Sequence, residues 1–215
     1  MSTAHLFVVR AVFMFCGCLL SSACQEEPTP PSSPVSAIEP PASFPTLGFP
    51  EDNVPTEAKI ELGRHLFYDK RLSGNQTYSC GTCHQQEHAF TDGLAVALGS
   101  TDEAHSLGSM TLTNVGYSAT LGWGNPVLKM LEVQALIPMY GEEPVELGLN
   151  NLSEEELLER FRENERYQAM FAEAFPRSDQ PISLENITKA IASFERSLIS
   201  ANSPYDRFIA SDKTA

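Results

Sequence analysis

Five consecutive residues, Cys80-Gly81-Thr82-Cys83-His84, constrain this 215-residue chain more than any other stretch of it. Two thiols one helical turn apart can each form a thioether with a vinyl group of one porphyrin. The histidine that follows then turns its imidazole onto the iron. C-x-x-C-H is therefore read as a covalent haem c attachment motif, with Cys80 and Cys83 holding the ring and His84 as proximal ligand. Three other chemistries use the same cysteine spacing. A thioredoxin-like dithiol expects a preceding strand in a βαβ unit, and here Ser79 precedes the pair among loop residues. A zinc site would recruit His88 and His105 to complete a Cys₂His₂ set. A structural disulfide closing a two-residue loop would staple little.

The remaining cysteines lie near the N-terminus, at Cys16, Cys18 and Cys24. Arg10, an apolar run from Ala11 to Leu20 and the small-residue exit Ser21-Ser22-Ala23 form the pattern of a secretory signal peptide over residues 1–23. Cys24 makes the segment resemble a bacterial lipoprotein signal, in which that cysteine is lipidated. Ser21 stands where such signals usually carry Leu, with Leu20 one place back, and both routes cut before Cys24. The expected location is periplasmic, with a lipid anchor on Cys24 as one of the two outcomes. Export agrees with haem, because bacterial c-type attachment takes place outside the cytoplasm. Residues 24–48 read as a linker: Gln25 to Pro50 holds eight of the chain's 15 prolines, and such a tract favours polyproline II. No stretch approaches 18 uninterrupted apolar residues. Lys and Arg number 14 against 28 Asp and Glu, a formal charge of −14, which excludes nucleic acid as a natural partner and favours basic proteins or small molecules.

Residues 49–215 are expected to form one domain, mainly α, a cytochrome c-like helical haem fold with long loops. Ile187, Ile191, Phe194 and Leu198 are spaced 4, 3 and 4 apart, one apolar helical stripe, with Ser183 as N-cap. Ser153 to Glu156 is a capping box opening a helix that carries Leu157, Leu158 and Phe161. Further helices are expected over Thr56–Phe67, Val127–Leu136 and from Arg166 to about Ala174. Between Ser73 and Asn125 periodicity is weak and Gly, Ser, Thr and Asn are frequent, so that stretch reads as long loops. No strand pair is evident.

Leu62-Gly63-Arg64-His65-Leu66-Phe67-Tyr68-Asp69-Lys70-Arg71-Leu72-Ser73 precedes the haem motif, and Phe90-Thr91-Asp92-Gly93 follows it. With Asn114-Val115-Gly116-Tyr117, Leu131-Glu132-Val133-Gln134-Ala135-Leu136, Ser193-Phe194-Glu195-Arg196 and Asn202-Ser203-Pro204-Tyr205-Asp206-Arg207, these segments resemble the bacterial di-haem cytochrome c peroxidases and their MauG-like relatives. The stretch from Gln134 to Gly148 is most similar to the MauG-like branch found in methanobactin operons. The resemblance runs from about Phe49 to the last residue.

It implies an N-terminal haem domain in which hydrogen peroxide meets iron, with electrons from a protein donor, or with a partner protein as the oxidised substrate. Gln134 and Glu146 match the family's distal residues, with Glu142 and Glu143 as fallback. Chemistry agrees: breaking the peroxide bond needs a base that takes one proton and returns it to the leaving oxygen. Trp123 loosely matches a tryptophan relay between two haems; the other reading is a core tryptophan. Arg71 is a candidate partner for a haem propionate. For the sixth iron position the candidates are His105, otherwise an exposed loop histidine, and Met110, Met130 and Met139, otherwise packing residues. His65 and His88 read as surface residues. Calcium, which the family binds through an Asn, meets Ser109 here, and this argues against it. Relatives continue into a second haem domain with its own C-x-x-C-H, so a split gene, a longer chain and a one-haem domain are all compatible with this sequence. The rival functions are a mono-haem electron-transfer cytochrome and an inactive fragment of a di-haem enzyme.

Overall fold

A computed structural model describes residues 36–209. The signal segment, the lipidation candidate Cys24 and the first part of the Pro-rich tract lie outside the described residues. Eight α-helices are present among those described: α1 (Glu57–Phe67), α2 (Cys80–Cys83), α3 (Leu131–Gln134), α4 (Leu136–Tyr140), α5 (Glu154–Arg162), α6 (Glu165–Ala174), α7 (Leu184–Arg196) and α8 (Pro204–Ile209). Two isolated bridges, Gln85 with Thr91 and Leu98 with Ala104, are the nearest approach to sheet. The fold is mainly α, as the sequence patterns predict.

Capping decides where the longer helices begin. Thr56 Oγ1 accepts from Lys59 N at 3.3 Å, Asn164 Oδ1 from Tyr167 N at 3.2 Å, and Ser183 Oγ from Asn186 N at 3.3 Å. At α5 the box is reciprocal: Ser153 Oγ accepts from Glu156 N at 3.2 Å while Glu156 Oε2 accepts from Ser153 N at 2.9 Å. The stripe on α7 is buried at Ile187, Ile191 and Phe194, whereas Leu198 falls beyond the helix end and packs on the core from outside it.

Helices α1 and α7 cross at Gly63. A Cβ there would sit 1.9 Å from the Ala190 carbonyl oxygen and 2.9 Å from Phe194 Cβ, so the two backbones meet with no room for a methyl group. Gly63→Ala is expected to force the helices apart and destabilise the fold by about 1–3 kcal/mol or more, against the small gain Ala normally brings to a helix. Urea denaturation of the two proteins would show it; an unchanged midpoint would mean that the crossing is loose.

The expected helix over Val127–Leu136 is corrected. Its first four residues are not helical: Leu121 N donates to Leu128 O at 2.9 Å, which closes a loop, and Val127 is exposed. Helix α3 starts at Leu131 and is followed at once by α4, which carries Pro138. Proline has no N–H to give to the carbonyl of Gln134, which accounts for the interruption. The Pro-rich tract also differs in its last part. Leu47 is buried, and Phe44 meets Tyr117 edge-on with centroids 5.1 Å apart, so the chain packs against the folded domain before residue 49.

A buried polar cluster ties α3 to α7 and to the segment before α1. Arg196 Nη1 and Nη2 donate to Glu132 Oε1 and Oε2 at 2.7 and 3.0 Å. Asn53 Nδ2 donates to Glu132 Oε1 at 2.6 Å, and Lys59 Nζ donates to Asn53 Oδ1 at 3.0 Å. Arg160 of α5 clasps the loop that enters α2, donating to the carbonyls of Arg71 and Ser73 at 2.7 and 2.8 Å.

Candidate functional site

The loop-rich half of the chain and helices α3, α4 and α7 enclose a cavity of about 520 Å³. Cofactor pockets fall in that size range. Cys80, Cys83 and His84 form one wall, and Leu121, Leu128, Leu131 and Ile191 supply apolar surface. The attachment turn is a single helical turn held by its own capping box, with Ser79 N donating to Thr82 Oγ1 at 3.0 Å. The Tyr68 ring packs against Gly81 at a site where a Cβ would come within 2.4 Å of it.

His84 Nδ1 lies 2.8 Å from the Phe90 carbonyl oxygen. A carbonyl only accepts, so the ring proton sits on Nδ1 and the lone pair on Nε2, the tautomer a metal ligand needs. Burial also holds the imidazole below its ordinary value, in the neutral form. Both thiols are free, and burial pushes them up, Cys83 to about 11 and Cys80 further. A catalytic dithiol needs the opposite shift, and no strand precedes the motif among the described residues. His88 is exposed and outside the cavity, so the Cys₂His₂ zinc set is not assembled. Two free thiols and a neutral, oriented imidazole on one wall of a largely apolar cavity fit a covalently held haem c.

Gln134 and Glu146 line the same cavity. The backbone around Glu146 is pinned from three directions: its carbonyl accepts from Ser100 N at 2.8 Å, Leu147 N donates to Pro138 O at 2.9 Å, and Gly74 N donates to Leu147 O at 2.7 Å. Burial raises the Glu146 carboxyl above the usual range, and the nearby His105 partly opposes this. Glu143 is also at the wall, while Glu142 is not. His105 is half-buried and lines the cavity, so the reading of it as an exposed loop histidine is corrected. Met110 and Met139 line it too; Met130 does not and is exposed.

Trp123 is 60% exposed at the cavity wall, with Nε1 donating to Gly108 O at 3.1 Å. It is no core tryptophan. Arg71 is not brought to the cavity: its guanidinium pairs with Asp69 at 2.9 Å and lies over the Tyr167 ring, and the propionate assignment loses its geometry. His65 is drawn into contacts with Glu61 and Arg166 on the far surface. Ser109 lines the cavity and donates to Asp92, and Asn114 instead anchors the C-terminal segment through Ser200.

One wall residue had no role in the sequence reading. Glu195, 5% exposed, faces the cavity from α7, and its Oε2 has no hydrogen-bond partner among the described residues. The signal was present: Glu195 falls four residues after Ile191 and eight after Ile187, on the buried stripe.

A family model described as di-haem cytochrome c peroxidase matches residues 57–214. The chain belongs to this di-haem cytochrome c peroxidase family. Among similar proteins, the methylamine utilization protein MauG of Methylophilus methylotrophus is 32% identical over 166 residues, covering 77% of this chain and 47% of that protein. Cytochrome c peroxidase Ccp of Escherichia coli (strain K12) is 29% identical over 163 residues, 75% of this chain and 33% of that one. Among solved structures, a MauG-like protein associated with microbial copper homeostasis superposes with a TM-score of 0.78 at 42% identity, covering 81% of this chain and 50% of that chain. The diheme peroxidase BthA from Burkholderia thailandensis superposes at 0.61 with 21% identity, a likeness of fold. The chain thus spans about a third to a half of the length of these relatives.

Proposed function

We propose that this chain is the peroxide-handling haem c domain of a peroxidase, reducing hydrogen peroxide with electrons from a protein donor or oxidising a partner protein. The observation that carries this reading is one cavity lined by the attachment residues Cys80, Cys83 and His84 and by Gln134 and Glu146. Haem c held there would supply the iron on which peroxide binds and its electrons are exchanged. The protein's own part is acid–base and positional. The Glu146 carboxylate takes a proton from peroxide, and the resulting acid returns it to the leaving oxygen, so that two electrons and two protons from outside complete the formation of two waters. Burial moves its pKa upward, toward the working pH, the direction that suits a group which must both take and return a proton. The Gln134 amide orients peroxide by hydrogen bonding, and Trp123 relays electrons between this haem and a second one, a role that its exposed position at the wall supports.

Residues 1–23 act as an export signal, residues from Cys24 tether the domain, with or without a lipid on that cysteine, and the domain works in the periplasm. Among the described residues no helix is long and apolar enough to cross a membrane. The donor is a basic cytochrome or a second haem centre. With a formal charge of −14, reduction by a basic cytochrome is expected to slow as salt rises from about 0.01 to 0.15 M and the Debye length falls from about 30 to 8 Å. Stopped-flow rates that ignore salt would remove electrostatic docking from the reading.

The test of the whole proposal is the visible spectrum of the ferric protein, made in cells with haem-attachment machinery, before and after peroxide. A high-spin c-type spectrum that changes with peroxide supports it. A low-spin spectrum indifferent to peroxide favours a second reading, an electron-transfer cytochrome with His105 on the sixth position, for which its place at the cavity wall is the specific observation. A protein without covalent haem overturns both.

A further inference from the structure

Glu195 is a carboxyl that the proposed chemistry leaves unused, and its surroundings are unusual. It lies at the cavity wall, buried, with Oε2 unpartnered among the described residues. The adjacent cation does not serve it: Arg196 gives Nη1 and Nη2 to Glu132 on α3. The other titratable groups about it are Glu132 itself, Cys80 of α2 and, on elements packed against α7, Lys59 of α1, committed to Asn53 and Val54, and Tyr117, whose hydroxyl is buried; His105, Glu143 and Glu146 stand elsewhere on the same cavity wall. Cys80 becomes a thioether on attachment and no longer titrates. A buried carboxyl without a cation or donor is stable only as the neutral acid, or facing a group that answers its charge.

We propose that Glu195 is the redox-linked proton carrier of this cavity, holding a proton when the bound haem is reduced and releasing it when the haem is oxidised. The inference rests on the haem reading above and adds a second proton-bearing carboxyl, distinct in place from Glu146. The electrostatics are simple. Oxidation adds one positive charge to the cavity on whose wall this carboxyl is buried, which favours the carboxylate, and reduction removes that charge and favours the acid. Electron and proton then enter together, and a proton is held beside the cavity where peroxide reduction consumes two. Burial, with Glu132 adding to it and Arg196 opposing, pushes the carboxyl up to about 8, within reach of such a switch.

The experiment is a spectroelectrochemical titration of the haem-loaded protein and of Glu195→Gln, which keeps the shape and removes the proton. In the unchanged chain the reduction equilibrium should shift by up to tenfold per pH unit on the alkaline side of neutrality, 59 mV for a one-electron couple. In Glu195→Gln that dependence should flatten while the spectrum stays the same. The reduced-minus-oxidised infrared spectrum supplies a second readout that needs no stable Glu195 variant. A neutral carboxylic acid band should appear on reduction, both in the unchanged chain and in Glu146→Gln. A slope that survives Glu195→Gln, or the absence of any such band in Glu146→Gln, overturns the proposal and leaves the haem reading intact. A protein lacking covalent haem overturns both.

Discussion

Glu146→Gln should lower peroxide turnover by about 10²–10⁴-fold while leaving covalent haem content and the ferric spectrum as they were. The amide has nearly the shape of the carboxylic acid and keeps its hydrogen-bonding capacity, but it cannot accept a proton from peroxide and hand it back. The backbone that carries the side chain is fixed by Ser100, Pro138 and Gly74, none of which depends on the carboxylate, so the substitution isolates the proton step. A pH profile sharpens the test. Burial raises the Glu146 pKa, so the base is lost by protonation as pH falls through a value above the ordinary carboxylate range. In the unchanged chain the acid limb of kcat/KM should therefore lie above that range, and in Glu146→Gln it should vanish with the activity. If Glu146→Gln retains full turnover, Glu143 at the same wall is the next carboxylate to replace.

How far the sequence alone reaches differs from residue to residue, for physical reasons. Local hydrogen bonding is local in sequence, so Thr56, Ser153 and Ser183 announce their helices correctly. The attachment turn is legible for the same reason, since its chemistry fits within five residues. What the sequence conceals is tertiary placement. Arg71 has the right group for a propionate, but the Asp69 carboxylate two residues away and the Tyr167 ring on α6 compete for it, and they prevail. Trp123 offers no periodicity from which exposure could be read, and it stands in a loop at the cavity wall. The beginning of α3 is hidden because Val127 and Leu128 look helical by composition, while a loop hydrogen bond from Leu121 claims Leu128. Glu195 lay on a visible apolar stripe, and only its missing partner, a fact of packing, marks it as more than a helix residue.

Arg196→Met is expected to destabilise the fold by about 3–5 kcal/mol, more than Glu132→Gln does. Arg196 and Glu132 are both almost wholly buried, and their bidentate pair links α7 to α3. Removing the guanidinium strands the Glu132 carboxylate in a dry environment with only Asn53 Nδ2 to bond it, and it leaves Glu195 beside a second uncompensated acid. Removing the Glu132 charge instead frees Arg196 for Glu195, the neighbouring carboxyl that lacks a partner on Oε2, and part of the loss is recovered. The asymmetry is what separates this network from a simple pair, in which either deletion would cost about the same. The pH dependence has a definite sign. Burial alone would raise the Glu132 carboxyl, but the hydrogen bonds from Arg196 and Asn53 outweigh it and hold the pKa below the ordinary carboxylate value. Its contribution is thus present above the unfolded carboxylate pKa and is lost as pH falls through the depressed folded value. The gap in urea stability between the unchanged chain and Arg196→Met should accordingly narrow in acid, where a protonated Glu132 no longer requires a cation. A gap that is constant with pH would mean that Arg196 acts through packing of its aliphatic stem rather than its charge. Because Gln134 stands two residues after Glu132 on the same short helix, loss of this anchor should also loosen the amide held at the cavity wall.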